Sequence, residues 1–300
     1  MPRSVRIVDV TAQTPIVRRT SSLVASNPRC KPLHDMYQSA VGRGAKSWNQ
    51  IEAQFLAAMS AFDATISSTA GRQDMTDAEK SALSADLQNG KGDFFNDLLA
   101  LLLENCSGIE TFYCRNIVPG LIVRNHNLDG VYPATGPIEF LLEAKMMGTP
   151  RHVNSPRQKE SGRPGSADID KRVKELAFKS IDLKGEYSRM RTSEGSAPAS
   201  GGPGGGDLTT WLRSTAPKIH FFLAVRVTSA SDFARTLQWA RTAQQVVDAV
   251  GLYCFEPDGS TQTSYRRTPG VPADLELERV LYRACTDLRA IASKVLRPAD

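Results

Sequence analysis

The chain has 300 residues, is 41% hydrophobic and 23% charged, and carries a formal net charge of +5. That composition holds enough apolar sequence for a sizeable core, excludes a disordered or fibrous chain, and fits a polyanionic partner without requiring one. Five cysteines without a CxxC pair or Cys/His spacing exclude a zinc ribbon and point to a reduced, cytoplasmic protein. No membrane partner is expected, because there is no signal-type leader and no apolar run of spanning length.

Residues 1–43 show no sustained period and read as an irregular arm. Trp48, Ile51, Phe55, Met59, Phe62 and Ile66 then recur every three or four positions, the spacing of a helix. Thr76 and Glu79 form a capping box that opens a second helix, expected to end at Asn89-Gly90. Residues 1–90 are therefore read as an N-terminal arm and helical segment.

Residues 91–104, with Phe94, Phe95, Leu98, Leu99, Leu102 and Leu103, are apolar nearly all round, as in a helix buried against a sheet. Residues 110–118, 121–129 and 138–144 read as three strands, with turns at Pro119-Gly120 and between Pro133 and Pro137. A polar, basic loop (146–165) leads to a long amphipathic helix capped by Ser166. The glycine-rich run 194–206 reads as a flexible insertion. A strand (219–227), a helix (231–250), a strand near 252–255 and a final helix (273–295) complete the chain. The order predicts an α/β fold with a mixed central sheet flanked by helices, residues 91–300 forming its core.

The chemistry concentrates at Asp129 and at Glu143-Ala144-Lys145. Residues 143 and 145 lie two apart on one strand, so their side chains share a face, and Ala144 turns toward the core. Two carboxylates on adjacent antiparallel strands can converge on one Mg²⁺, with the Ala144 carbonyl as a further hard oxygen ligand. The lysine then reaches the water or phosphate near that ion. Asp182-Leu183-Lys184 repeats the acid-x-Lys pattern but lies in a helix, where positions i and i+2 do not share a face. It reads as a decoy.

On these residues, the segment from Gly92 to Phe255 resembles the PD-(D/E)xK nuclease superfamily, and within it the type II restriction endonucleases. Leu128 stands where the family's name has proline. The resemblance implies an αβββαβ core, Mg²⁺ held by Asp129 and Glu143, and an attacking water positioned by Lys145. It also implies a further acid or amide from the preceding helix, for which Asn96, Asp97 and Glu104 are candidates and Asp97 is the choice. The implied activity is Mg²⁺-dependent hydrolysis of double-stranded DNA by a homodimer, with a cognate DNA methyltransferase acting on the same site. A repair, recombination or modification-dependent nuclease is an alternative, and a non-catalytic DNA-binding module on such a fold is a second.

The loop after the acid-x-Lys strand carries Arg151, His152, Asn154, Arg157, Gln158, Lys159 and Arg163, with Glu160 opposing. A basic loop beside a metal site is where a phosphate backbone is expected to run, and these polar side chains suit base edges. Lys171, Arg172 and Lys174 alternate with acids and read as a solvated helix face.

Overall fold

A computed structural model describes residues 44–133, 137–152, 162–193 and 208–295. The arm (1–43), the glycine-rich run and Asn154, Arg157, Gln158 and Lys159 of the basic loop lie outside the described residues.

The chain enters through helix α1 (Glu52–Ser68) and helix α2 (Asp77–Ser107), followed by strands β1 (Phe112–Val118), β2 (His126–Tyr132) and β3 (Phe140–Met147). Helix α3 (Ile169–Ser193) and a short helix α4 (Leu208–Ser214) lead to β4 (Lys218–Arg226). Helix α5 (Ala230–Ala243), β5 (Ala249–Pro257), β6 (Tyr265–Arg267) and helix α6 (Leu277–Val295) follow. The strands lie in sequence order in one mixed sheet. Neighbours β1, β2 and β3 are antiparallel, β3, β4 and β5 are parallel, and β6 closes the far edge antiparallel to β5.

The parallel centre reads as continuous apolar sequence because both its faces are covered. On one face, Phe140, Leu142 and Ala144 of β3 pack with Phe222 of β4 against α1, α2 and α6. On the other, Leu141 and Met147 join Phe221, Leu223 and Val225 against α3 and α5. Ala144 thus faces the α2 side, and Glu143 and Lys145, its neighbours along the strand, face α3.

Several expectations change. The helix expected over 231–250 ends at Ala243, because Ala249 and Val250 pair with His220 and Phe221 of β4 and open β5. Helix α2 runs unbroken through Asn89-Gly90, because Leu87, Phe94, Phe95, Leu98 and Leu102 form one buried stripe. The capping box at Thr76 and Glu79 opens it as expected. Strand β2 starts at His126, not near residue 121, because residues 121–123 bond to Asp182 of α3 instead of to a strand. Helix α3 begins at Ile169, and the Ser166 N–H is held by Asp232. Among the described residues, no helix is long and apolar enough to cross a membrane.

Candidate functional site

The register of β2 on β3 runs Tyr132↔Phe140, Val131↔Leu141, Gly130↔Leu142. Asp129 and Glu143 lie just past the last paired residues on their two strands. Glu143 and Lys145 flank Ala144 on the α3 face, where the β4 neighbours Phe221 and Leu223 are apolar. Glu143 is only 2% exposed, so its charge requires cationic partners.

Those partners are two lysines. The Lys145 ammonium donates to Asp129 Oδ2 at 2.8 Å, to Glu143 Oε2 at 3.2 Å and to the Ala144 carbonyl at 3.0 Å. The other Glu143 oxygen, Oε1, accepts from Lys179 Nζ at 2.5 Å. Lys179 comes from the middle of α3 and also donates to the Asn127 carbonyl at 2.8 Å, tying α3 to β2. Asp129 Oδ2 accepts a further bond from the Ala144 N–H at 3.1 Å. The Asp129 and Lys145 side chains are 28% and 30% exposed, so solutes can reach the pair.

The electrostatics follow from that arrangement. Burial would lower the Lys145 pKa, but the charges of Glu143 and Asp129 outweigh it and hold the ammonium above the ordinary lysine range. Burial likewise works against ionisation of Asp129, but Lys145, the Ala144 N–H and Lys179 hold its carboxyl below its usual value. Both acids sit beside a fixed positive charge. An ammonium held this way keeps its proton, so Lys145 can donate hydrogen bonds and offset negative charge.

Asp129, Glu143, Ala144 and Lys145 are thus brought together. Of the three helix candidates, Asn96 reaches the site's backbone, donating to the Asp129 carbonyl at 3.0 Å. The Asp97 side chain lies outside the described residues. Glu104 is exposed, and partial burial together with the Glu110 charge raises its pKa. Among the described residues, no group of three or more His, Cys, Asp and Glu is gathered for a metal. The hard oxygens that meet here are two carboxylates and one carbonyl. A hydrated Mg²⁺ bound through few protein oxygens is compatible with that set.

The basic loop is closed at its stem by paired backbone bonds between Thr149 and Arg163, 3.2 and 2.8 Å long. Arg163 also pairs with Asp168 at 2.6 Å, an exposed contact worth little in water. The His152 carbonyl accepts from Thr69, and burial lowers the pKa of its ring. A neutral His152 suits hydrogen bonding better than phosphate neutralisation. Lys171, Arg172 and Lys174 pair with Glu175 and Asp170, as a solvated face does.

Two residues outside the predicted set matter. Lys179 carries no signal in the sequence, since one lysine on an amphipathic helix is ordinary and its partner is 36 positions away. Asp182, a decoy for metal chemistry, builds the loop before β2. Its carboxylate accepts from the Ile122 and Val123 N–H groups at 2.6 and 3.1 Å and meets the His126 ring at 2.7 Å. A Cβ at Gly120 would stand 1.8 Å from that carboxylate, so only glycine fits there. His126 is thereby committed to a structural contact.

No known protein family, curated protein or solved structure matches this chain.

Proposed function

We propose that this chain is a Mg²⁺-dependent endodeoxyribonuclease of the PD-(D/E)xK type, acting as a type II restriction endonuclease. The observation that carries the reading is the meeting of Asp129, Glu143 and the Ala144 carbonyl at one ammonium, that of Lys145. Oxygens gathered around a cation on two adjacent strands are a donor set suited to a hard divalent ion. The order α2, β1, β2, β3, α3, β4, with the acids on its second and third strands, supports the same reading.

Asp129, Glu143 and the Ala144 carbonyl would hold Mg²⁺, which would supply Lewis acidity toward a phosphodiester and an acidified water. The chain supplies the rest. Lys145, kept protonated, orients the attacking water and stabilises negative charge on the phosphate oxygens. Asn96 fixes β2 at Asp129, and the apolar neighbours of Glu143 exclude bulk water behind it. Arg151 and Arg163 flank the stem of a loop suited to a DNA backbone. Cutting both strands of a symmetric site is simplest for a homodimer, and a cognate methyltransferase would protect the host's copies.

One observation favours a second reading. Two acids and two lysines balance without any added cation, as they would in a structural ion-pair cluster on a non-catalytic DNA-binding module.

The deciding experiment incubates the purified protein, Lys145→Ala and Glu143→Ala with unmethylated phage DNA and Mg²⁺. Discrete fragments from the wild type, at least about 100-fold less cleavage by either variant and retained DNA binding are expected. Cutting without a divalent ion, or full activity in Glu143→Ala, overturns the active-site assignment. Binding without cutting by the wild type selects the non-catalytic module.

A further inference from the structure

The geometry points to Lys179 as an internal placeholder for the divalent cation: its ammonium occupies Glu143 until the ion displaces it. The inference rests on the nuclease reading for the identity of the ion's site, and adds a residue from α3 to it.

Glu143 is nearly inaccessible, and its two oxygens are divided between two lysines. Lys145 belongs to the same strand and touches all three candidate metal oxygens. Lys179 touches only one of the three groups, through Glu143 Oε1 at 2.5 Å, and its second bond goes to the Asn127 carbonyl, two residues before Asp129. Its side chain is 20% exposed, so the ammonium has solvent to swing into. An incoming divalent ion meets a site whose two negative charges are already cancelled. Two cations sharing one carboxylate oxygen at such range repel, so an ion bound through Glu143 Oε1 displaces Lys179, as one bound through Oε2 displaces Lys145. A lysine serving only to join α3 to the sheet would hold its bond to Glu143 whether or not the ion is present.

Mn²⁺ serves as the probe, without DNA. Its affinity is measured by calorimetry and by the loss of free-ion electron resonance in wild type, Lys179→Met, Lys179→Arg and Glu143→Gln. Removing the competing charge in Lys179→Met is expected to tighten Mn²⁺ binding by about ten-fold or more, with Lys179→Arg close to wild type. Unchanged or weaker binding in a folded Lys179→Met overturns the inference. Because that variant leaves Glu143 short of a partner, a second measurement uses the native chain. Acetylation of Lys179 by an activated ester, read by mass spectrometry, is expected to rise several-fold when Mn²⁺ is added. Lys171, 70% exposed and far along α3, provides the unchanged control. Labelling of Lys179 that ignores Mn²⁺ also overturns the inference. If Mn²⁺ binds the wild type through Glu143 and neither Lys179 readout moves, only the placeholder fails. If no Mn²⁺ binds either the wild type or Lys179→Met, the metal site itself fails.

Discussion

Four polar side chains with no part in the candidate site form a buried charge cluster. Lys91 of α2 donates to Asp63 of α1 at 2.7 Å, and both are fully buried. The other Asp63 oxygen accepts from Tyr265 of β6 at 2.7 Å, and the Tyr265 oxygen accepts from Arg226 of β4 at 2.8 Å. Burial lowers the Lys91 pKa, against the opposing charge of Asp63, and raises that of Tyr265. Removing one partner strands a buried charge, which costs more than the pair contributes. Lys91→Met is therefore expected to lose about 3–5 kcal/mol of stability in urea unfolding, although the methionine adds apolar volume. A loss below about 1 kcal/mol would mean that water reaches Asp63 and that the cluster is not dry.

That ion pair also explains how α2 stays continuous. Asn89-Gly90-Lys91-Gly92 has the composition of a helix end, and local propensity alone predicts a break there. Lys91 instead lies on the buried stripe between Leu87 and the Phe94-Phe95 pair, held by a residue 28 positions earlier. Tertiary packing overrides the two glycines, which remain a local cost. A Cβ added at Gly92 would meet nothing within 4 Å. Gly92→Ala is thus expected to stabilise the protein by about 0.5–1 kcal/mol, seen as a melting temperature higher by roughly 2 °C. A lower melting temperature would show that this turn is not helical in solution. The same contrast runs through the candidate site. Glu143 and Lys145 are legible in the sequence because a strand's two-residue period puts them on one face, whatever the rest of the chain does. Lys179 and Asp182 are not, because their roles depend on where α3 crosses the sheet, and no local pattern encodes that crossing. The start of β2 is illegible for the same reason: the backbone of 121–123 finds its partners on α3.

At the scale of the molecule, the fold and the expected grip on DNA are separable. Among the described residues, the core on both faces of the sheet includes none of 150–152 or 162, and the loop's described ends meet at the Thr149↔Arg163 bridge. That bridge pairs antiparallel, the geometry that a two-residue Asn-Gly turn closes well. Replacing residues 150–162 by Asn-Gly removes Arg151, Arg157, Lys159 and Glu160, so the net charge falls by 2, from +5 to +3. The hydrogen bond from Thr69 to the His152 carbonyl goes with them, at a cost of about 1 kcal/mol. The shortened protein is therefore expected to fold and to unfold cooperatively within a few °C of the parent. Its DNA affinity should fall, and the slope of log affinity against log salt should flatten by about 2–3, roughly one for each phosphate that the removed cations neutralise. Fluorescence anisotropy of a labelled duplex across a salt series measures both quantities. An unchanged slope in a folded protein would place the DNA on another surface. The basic loop would then be a solvated appendage, and the site at Glu143 would have to meet its substrate without it.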